Sequence, residues 1–388
     1  MKRGVTGRYQ KSTAGGEEVK AFIPRPLPPA PPLVFDGAVQ RAFEPALLSL
    51  GRLDAVVALL PDRSLFLYSY VRKEAVLSSQ IEGTQSSLSD LLLFELDETG
   101  APPGNDDVVE TANYVAAMNH GISRMQDGFP LSGRLLRELH GILLRSGRGS
   151  TSDPGEFRRT QNWIGGTRPG NAVFVPPPPT EVADAVGTLE KFIHGRSEEI
   201  SQLVRAALAH VQFETIHPFL DGNGRVGRLL ITLQLCHARV LREPMLYLSL
   251  YLKEHRDEYY RLLTDVRTTG DWEAWLVFFL EGIAETATEG VIVAERLNAL
   301  FQRDCARLLP IKRRGRSALQ LLEALKRTPM LSISRAADAA EMSFPSASAA
   351  LELLGEMGIV DEVTGRVRNR VYAYREYLAV LNEKTVVG

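Results

Sequence analysis

The chain has 388 residues, of which 44% are hydrophobic and 24% are charged, as in an average globular protein. This length predicts two or three domains with enough apolar residues for a substantial core, so a largely disordered chain is excluded. Because 45 Lys and Arg residues nearly balance 47 Asp and Glu residues, we also exclude a protein that coats nucleic acid or a membrane surface over its whole length.

Cysteine usage and the N-terminus indicate the compartment. Cys236 and Cys305 are the only cysteines, and both lie in apolar, helix-like runs. Two such cysteines form neither a disulfide framework nor a four-ligand zinc set. The N-terminus has no apolar signal segment, and the chain has no uncharged apolar run of about 18 residues. We therefore expect a cytoplasmic protein that does not contact the membrane.

Residues 1–34 are predicted to form an arm rather than a domain. Residues 1–21 are polar and rich in glycine, which predicts a frayed segment. A proline-rich stretch follows, and its extended polyproline-like conformation predicts a strap over the surface, with a ligand for a proline-reading partner as the alternative. Its prolines are Pro24, Pro26, Pro28, Pro29, Pro31 and Pro32.

Apolar residues at helical spacing predict a series of helices from residue 35 onward. The predicted helices after the first are 65–81, 88–93, 107–125, 131–144, 180–194, 198–216, 228–240, 249–264 and 272–301. One stretch, 159–175, departs from this periodicity, because β-forming residues flank three glycines there. We interpret it as a β-hairpin on an otherwise helical domain.

The pattern changes after residue 310. The basic residues at 312–316 are interpreted as an interdomain linker. Three short helical patterns follow, and then two runs of alternating apolar residues around a turn at 364–365. Three helices and a hairpin within 311–388 are in the order of a winged helix-turn-helix domain. The predicted fold class is therefore mostly α, with a β-hairpin flap and a small C-terminal winged helix-turn-helix domain.

A segment that joins two predicted helices carries the most unusual run of residues in the chain. It spans 217–228 and reads His-Pro-Phe-Leu-Asp-Gly-Asn-Gly-Arg-Val-Gly-Arg. The first helix ends at His217, and a turn of Gly222, Asn223 and Gly224 begins the second. Successive backbone N–H groups at a helix N-terminus bind anions, so this turn predicts an anion site.

Charged side chains accompany the predicted anion site. Arg225 and Arg228 are three residues apart, so they share one face of a helix and suit phosphate oxygens. Asp221 supplies a hard carboxylate of the kind that holds Mg²⁺ against a nucleotide phosphate. A titratable base, a metal ligand, an amide cradle and two cations together favour phosphoryl or nucleotidyl transfer.

Three other interpretations of this segment are weaker. Its glycines satisfy G-x-G-x-x-G, but a dinucleotide fingerprint follows a strand, and here a helix precedes it. His210, Glu214 and His217 share a helical face like a metal triad, yet the chain has no His-Glu-x-x-His motif. A purely structural turn needs neither the two arginines nor an aspartate and a histidine.

The segment resembles the signature of the Fic family, His-Pro-Phe-x-Asp/Glu-Gly-Asn-Gly-Arg-x-x-Arg, at every defined position. Residues 162–178 resemble the family's flap hairpin, and aromatic residues between 247 and 279 resemble its C-terminal helices. The resemblance covers about 35–286, and a C-terminal winged helix often accompanies such proteins. It implies that 131–300 form the catalytic core.

Fic enzymes typically transfer the AMP of ATP to a Ser, Thr or Tyr hydroxyl of a target protein. The resemblance implies that His217 is the general base and that Asp221 binds Mg²⁺ between the α- and β-phosphates. It implies an anion hole made by the amides of Gly222, Asn223 and Gly224, with Asn223 also touching the α-phosphate. Phosphorylating members carry Lys where this chain has Gly224, so the glycine favours AMP transfer.

The resemblance assigns further ATP contacts. Arg225 and Arg228 would clamp the outer phosphates, with Arg228 on the γ-phosphate. Tyr259 or Tyr260 would form a wall for adenine, although ordinary core aromatics explain both equally well.

The flap has a role in this resemblance too. Phe174 and Val175 would pair with the backbone of the target by β-augmentation, which positions a hydroxyl without reading much side-chain sequence.

A second family motif lies in the N-terminal helical region, 35–130. Ser78 to Gly83 matches the inhibitory pattern Ser/Thr-x-x-x-Glu-Gly/Asn. It implies that Glu82 pairs with Arg228 and occupies the γ-phosphate position, so that ATP binds in a non-productive pose. The alternative is a helix end at which Gly83 stops the helix and Glu82 is solvated.

The sequence is thus interpreted as a protein adenylyltransferase that uses ATP and Mg²⁺, acts on a hydroxyl-bearing protein and is autoinhibited by Glu82. A de-AMPylating phosphodiesterase, in which Glu82 orients a water, stays open as an alternative. A nucleotide-sensing DNA-binding regulator is a second alternative, disfavoured because pure binding needs no base at His217. Self-modification and a homodimer are both compatible with the sequence.

The C-terminal residues leave their partner open. Residues 311–388 carry 12 Lys and Arg against 9 Asp and Glu, a net charge of +3. Arg366, Arg368 and Arg370 recur at period two on one face of the predicted wing. They suit DNA phosphates, and a docking module for a protein target fits the same residues.

Overall fold

The computed structural model describes residues 1–35, 37–59, 64–96, 106–195, 200–366 and 368–383. Helices dominate it, and its strands form two small antiparallel sheets, so the predicted mostly α-helical class is confirmed. The helices before residue 309 are α1 (Gly37–Leu59), α2 (Ser64–Ile81), α3 (Leu88–Leu96), α4 (Asp106–Gln126), α5 (Gly133–Leu143), α6 (Pro179–Ile193), α7 (Gln202–Ile216), α8 (Asn223–His237), α9 (Ser249–Glu254), α10 (Arg256–Thr269) and α11 (Trp272–Leu308).

Helix α7 lies at the centre of the helical body. Every residue from Leu203 to Ile216 is buried, so α7 has no solvent-facing stripe and is held on all sides. Helices α1 and α11 pack closely, and a Cβ atom on Gly290 of α11 would lie 3.0 Å from Leu53 of α1. The segment that follows α7 therefore begins at the end of a rigidly held helix.

The N-terminus is not frayed, contrary to the expectation for residues 1–21. Strands β1 (Gly7–Ala14) and β2 (Glu17–Pro24) form an antiparallel hairpin in which Ala14 pairs with Glu17 and Gly7 with Pro24. Its apolar residues are few, but Val19 and Ala21 alternate on one face and are buried. A short apolar alternation inside a polar stretch was enough to dock the hairpin.

The base of this hairpin is tied to the helical body. The Arg3 guanidinium pairs with the Glu273 carboxylate and also donates to the carbonyl oxygens of Pro31 and Pro32. The Gly4 N–H donates to the Thr269 carbonyl at 2.9 Å. Residues 1–6 and the proline-rich stretch are therefore fixed against the start of α11.

The predicted hairpin at 159–175 is reduced to one antiparallel bridge between Ile164 and Phe174. Gly165 and Gly166 both adopt positive φ, and a single 3-10 turn, Pro169–Asn171, fills the space between. The Asn171 side chain accepts N–H groups from residues 167 and 168. The segment is thus a loop closed on itself rather than a two-stranded ribbon.

The C-terminal residues form a compact unit of helices and a three-stranded sheet of order β3-β5-β4. Its elements are α12 (Lys312–Arg327), β3 (Met330–Ser332), α13 (Ile333–Ala339), α14 (Phe344–Glu356), β4 (Val360–Glu362), β5 (Val371–Tyr374) and α15 (Arg375–Asn382). The basic residues 312–316, expected to be a linker, are the first turns of α12. The unit shares a core with the helical body, since the Tyr377 ring packs on Phe301 and its hydroxyl bonds Ser69 Oγ at 2.9 Å.

Candidate active site

The backbone reverses sharply where α7 ends. His217 caps the helix in the left-handed region, with φ 49° and ψ 61°, and its N–H donates to the Phe213 carbonyl. Such a conformation is uncommon for a residue with a Cβ and persists only where the surroundings enforce it. The buried Arg158 enforces it here. Its side-chain Nε donates to the His217 carbonyl at 2.9 Å, and its backbone N–H donates to the Pro218 carbonyl at 2.9 Å.

The loop that follows is held by two further side chains. The Asn223 amide accepts the Phe219 N–H at 2.9 Å and donates back to the Phe219 carbonyl at 2.8 Å. The His140 ring stacks on the Phe219 ring at 3.9 Å. His140 Nδ1 accepts the Gly155 N–H, so its Nε2 carries the proton and donates to the Asp221 carbonyl.

Helix α8 begins at Asn223, five residues earlier than the sequence predicts, so the second half of the signature is helical. Gly222 precedes it with φ 74°, a left-handed conformation that suits glycine. The first bond within the helix runs from the Val226 N–H to the Gly222 carbonyl. The N–H groups of residues 223–225 are therefore the open donors of a helix N-terminus. The Asn223 side chain is already hydrogen-bonded to the Phe219 backbone. The group that Asn223 presents to an anion is therefore its backbone N–H.

These amides open into a cleft of about 230 Å³. Its lining residues are Glu82, Glu110, Arg148, His217, Leu220, Asp221, Gly222, Asn223, Gly224 and Arg225. The structure thus brings His217, Asp221 and the glycine turn of the signature together with Glu82 from the upstream motif. A helix N-terminus, an imidazole and two arginines, Arg148 and Arg225, line this cleft beside three carboxylates. Helix N–H groups and arginines favour an anionic substrate.

Arg228 lies beneath this cleft and is bound by the end of α2. Its Nε donates to Ser78 Oγ at 2.8 Å, and its Nη2 donates to the Ser78 carbonyl at 2.9 Å and to Glu82 Oε1 at 2.6 Å. Burial opposes the charge of Glu82, but Arg228 outweighs it and lowers the pKa of that carboxyl. Burial likewise opposes the charge of Arg228, but Glu82, Tyr259 and Tyr260 together outweigh burial and raise the pKa of the guanidinium.

The Glu82 carboxylate also covers the glycine turn. A Cβ atom on Gly224 would overlap Glu82 Oε1, so the carboxylate lies directly against this turn. Gly83 follows with φ 97°, and its N–H donates to the Gln80 carbonyl. The residue thus lies at a helix end, as both interpretations of the motif expect, but its carboxylate is paired with Arg228, whereas the alternative expected it to be solvated.

Arg225 has a partner that sequence reasoning missed. Its Nη1 donates to Glu110 Oε2 at 2.9 Å, and both side chains are less than 5% exposed. Glu110 Oε1 accepts from Nε of Arg148 at 2.6 Å. Arg148 is half exposed and lines the cleft, so it adds a cation that no motif indicated, because Glu110 comes from α4 and Arg148 from a loop after α5.

The imidazole of His217 is neutral in this structure. Burial, together with repulsion from Arg158 and Arg267, lowers its pKa to about 3. Nδ1 is buried and has no hydrogen-bond partner among the described residues. Glu214 Oε2 lies 3.9 Å from it, and burial, which outweighs the attraction of Arg228, raises the pKa of Glu214 to about 7. A Cβ atom on Gly227 would overlap Glu214 Oε1, so this glycine makes room for the carboxyl.

The two tyrosines expected near adenine have different surroundings. Tyr259 is 1% exposed, and its hydroxyl donates to His210 Nε2 at 2.8 Å. His210 Nδ1 in turn donates to the Gly227 carbonyl. Tyr259 is therefore a core residue, which corrects its assignment to the adenine wall, and His210 uses both ring nitrogens internally. Tyr260 is 39% exposed, and the Arg256 guanidinium lies 5.4 Å from its ring centroid.

The flap residues contact Arg267 and the N-terminal hairpin. The Phe174 ring packs under the Arg267 guanidinium at 4.0 Å, and Arg267 is one of the cations that act on His217. Val175 is buried, and its carbonyl accepts the N–H of Phe22 at 2.9 Å. The backbone of the flap is thus partly engaged by the chain's own N-terminal hairpin.

Comparison with known proteins agrees with this geometry. Residues 40–123 match the family model described as Fic/DOC family N-terminal, and residues 130–235 match the model described as Fic/DOC family. The chain therefore carries a Fic/DOC N-terminal region and a Fic domain over these residues. The Fic model ends within α8, so it contains the whole signature loop, and the N-terminal model contains Ser78 and Glu82.

Curated relatives match the same region. The chain is 33% identical over 147 residues to protein adenylyltransferase Fic of Culex quinquefasciatus, which covers 38% of this chain and 26% of that protein. It is 33% identical over 150 residues to protein adenylyltransferase Fic of Drosophila grimshawi, which covers 38% and 28%. The chain therefore spans about a quarter of the length of the curated relatives it matches.

A solved structure shares the fold over most of the chain. A Fic family protein from Desulfovibrio desulfuricans G20 has a TM-score of 0.56 and 21% sequence identity, and the match covers 88% of this chain and 97% of that one. The Fic fold therefore continues outside the signature region. No helix in the described part of the chain is long and apolar enough to span a membrane.

Proposed function

We propose that this protein is a protein adenylyltransferase, which transfers AMP from ATP to a Ser, Thr or Tyr hydroxyl of a target protein. The observation that carries the proposal is the position of His217 at the cleft that also receives the open amides of α8. A neutral imidazole beside an anion site supplies a proton acceptor next to a bound phosphate.

The chemistry balances with the groups present. The target hydroxyl oxygen forms a bond to the α-phosphorus of ATP, and the bond from that phosphorus to the bridging oxygen of the β-phosphate breaks. Pyrophosphate leaves, and His217 accepts the hydroxyl proton. The amides of residues 223–225 would stabilise the negative charge on the α-phosphate oxygens, and Arg228 would hold the outer phosphates once Glu82 has moved away.

The donor set at Asp221 fits Mg²⁺ bound together with a nucleotide. Its carboxylate is exposed, and Oδ1 accepts the Gly222 N–H at 2.6 Å. A Cβ atom on Gly149 would lie 2.5 Å from Oδ2, so this glycine leaves space beside the carboxylate. No cluster of three or more ligand side chains occurs among the described residues, so phosphate oxygens and water would complete the coordination, as is usual for Mg²⁺. When bound, the cation would neutralise phosphate charge.

The test measures which phosphate of ATP is transferred to protein. Wild type, Glu82→Gly and His217→Ala are incubated with a cell lysate and ATP labelled at either the α- or the γ-phosphate. The proposal requires protein label from α-labelled ATP, none from γ-labelled ATP, and loss of label in His217→Ala. His120→Ala is the matched control, because it removes an imidazole that lies on α4 and pairs with Glu138 of α5. Label from γ-labelled ATP would indicate phosphorylation instead.

We also propose that Glu82 restrains the enzyme. Its ion pair with Arg228 supports this, because phosphate and carboxylate would compete for one cation. The same carboxylate, one third exposed, could orient a water for removal of AMP. Incubating a pre-adenylylated target with wild type and Glu82→Gly separates the two roles, since reversal requires faster loss of AMP from the target with wild type.

For the C-terminal unit we propose a winged helix-turn-helix that docks a protein rather than DNA. In this assignment α14 is the recognition helix, and its exposed positions include Glu352, Glu356 and the 56%-exposed Phe344. Two carboxylates would repel DNA phosphates, whereas an exposed aromatic residue beside charged ones is common at protein interfaces.

A further inference from the structure

The N-terminal hairpin is paired with the flap at the edge where a target strand would bind. Both backbone groups of Phe174 bond to Ile164, at 2.8 and 3.1 Å. Successive residues of an extended strand direct their backbone groups to opposite sides. The Val175 carbonyl therefore faces the other edge, and there it accepts the Phe22 N–H of β2 at 2.9 Å.

Side chains reinforce this pairing on both faces. Val175 forms a small apolar cluster with Ala14, Val19 and Ala21 of the hairpin, separate from the main core. On the other face, the Phe22 ring packs 6.0 Å from that of Phe174.

Two polar contacts flank the apolar cluster. The Glu17 carboxylate pairs with the Arg168 guanidinium at 2.7 Å. Ser12 Oγ donates to Gln161 Oε1 at 3.0 Å. The hairpin thus touches the flap through one backbone bond, one ring pair, one apolar cluster and two polar bonds.

The sequence of β2, Glu-Glu-Val-Lys-Ala-Phe-Ile-Pro, contains no hydroxyl side chain. It can pair with the flap but has no group that would receive AMP. We propose that β2 stands in for the strand of the target, so that the flap edge is occupied by the chain itself until a target strand displaces it. This inference rests on the proposed function, and it deepens it by naming the partner segment.

The partner that fits this edge is an extended segment that resembles β2. It would carry small apolar residues at the positions of Val19 and Ala21, which face Val175, and an aromatic residue at the position of Phe22. Because Arg3 and Gly4 fix the base of the hairpin to the helical body, β2 stays near the flap at a high effective concentration. A target strand must outcompete it.

The test uses the 388-residue chain in the Glu82→Gly background with Ala21→Asp, which places a charge in the apolar cluster. Lys20→Asp is the matched control, because Lys20 is the neighbouring residue of β2 and is exposed. The probe is a fluorescent peptide with the sequence of residues 16–25. The same peptide N-methylated at Phe22 lacks the N–H that the Val175 carbonyl accepts.

Three results are expected for Ala21→Asp, and one each for the N-methylated peptide and for Glu17→Lys. In Ala21→Asp the amide of Phe22 exchanges hydrogen faster, the peptide binds at least about tenfold more tightly than to Lys20→Asp, and adenylylation of targets in trans increases. The N-methylated peptide binds Ala21→Asp no better than it binds Lys20→Asp. Glu17→Lys, which breaks the pair with Arg168 without entering the cluster, should give smaller changes in the same direction, and it replaces Ala21→Asp if that variant does not fold.

The outcomes separate this inference from the proposed enzyme activity. Faster exchange at Phe22 with no gain in peptide binding would overturn the inference, and so would equal binding of the N-methylated peptide. A gain in peptide binding while no variant transfers AMP would overturn the adenylyltransferase proposal and leave strand docking intact.

Discussion

Glu82 and Arg228 are 146 residues apart in sequence and are joined by a 2.6 Å ion pair that lies against the turn at Gly224. Arg228 is almost completely buried, and Ser78 holds it from the same helix end as Glu82. The guanidinium that suits an outer phosphate is therefore already neutralised. Its partner is the more exposed of the two, so Glu82 is the one that can leave.

Glu82→Gly is expected to increase AMP transfer, including self-modification, by about tenfold or more, which corresponds to about 1.4 kcal/mol at the barrier. The substitution removes the competing carboxylate and retains the amides of α8. Transfer is measured with α-labelled ATP. Arg228→Ala should be poorly active, and the double variant should resemble it, since Glu82 acts through that arginine. Equal activity of wild type and Glu82→Gly on one target would contradict autoinhibition.

His217→Ala should lower the rate of AMP transfer by about 10²- to 10⁴-fold, the usual effect of losing a positioned base. ATP binding should change little, because the amides of α8 and Arg228 remain. The rate is measured in the Glu82→Gly background, and ATP affinity by calorimetry. A rate near that of the parent would show that another group takes the proton.

Glu214→Gln should change how stability depends on pH. The pKa of Glu214 is raised from 4.5 to about 7 in the folded state, so folding holds a proton on this carboxyl between those values. Its contribution to stability is complete below pH 4.5 and is lost as the pH rises through about 7. Wild type should therefore lose stability relative to Glu214→Gln between pH 4.5 and pH 7.

Urea unfolding at both ends of that range measures the difference in the free energy of unfolding. The exposed Glu156, which pairs with Arg137, supplies the control Glu156→Gln. A difference between wild type and Glu214→Gln that is the same at both pH values would contradict the raised pKa.

Gly227→Ala should destabilise the protein by about 1–3 kcal/mol, the usual effect of forcing an atom into a packed site. The new Cβ would overlap Glu214 Oε1, and Phe213 lies 3.1 Å away. Gly187→Ala is the matched control, because that helical glycine has nothing within 4 Å of an added Cβ, and there alanine should stabilise α6 by up to about 1 kcal/mol. Melting temperatures measure both. If Glu214 is the obstacle, Glu214→Ala should recover much of the loss in Gly227→Ala.

Replacing Arg366, Arg368 and Arg370 with alanine tests the partner of the C-terminal unit. With a protein as the partner, binding to duplex DNA should be weak and unchanged by the triple substitution. Titrations at several salt concentrations measure it. Tight duplex binding whose salt slope falls by about one for each lost arginine would contradict protein docking and favour DNA.

Local sequence pattern predicted most helices and most residues around the cleft. The signature loop could be predicted because its residues are adjacent in sequence, so that helix end, turn and helix start follow from local chemistry. Helix boundaries differ from the prediction at two places. Helix α8 begins at Asn223 because the Gly222 turn already starts the helix, and His255 divides one predicted helix into α9 and α10.

Contacts across long stretches of chain could not be predicted in this way. Arg158 holds the backbone of His217 from 59 residues away, and Glu110 reaches Arg225 from 115 residues away. The periodicity of the local sequence does not indicate such a pair. Tyr259 could not be assigned from the sequence either, because a tyrosine at this position is equally typical of a ligand-binding wall and of a core. Its burial and its hydrogen bond to His210 assign it to the core.

The sequence by itself determined the helical class, the signature around His217 and the upstream motif at Glu82, because each depends on residues only a few positions apart. Only the tertiary structure decided that Glu214 lies beside His217 in the space left by Gly227, and that β2 covers the edge of the flap at Val175. The apolar alternation of Val19 and Ala21 is too short to be recognised as a strand in a polar segment, and it docks because the flap supplies a backbone edge and the apolar side chain of Val175.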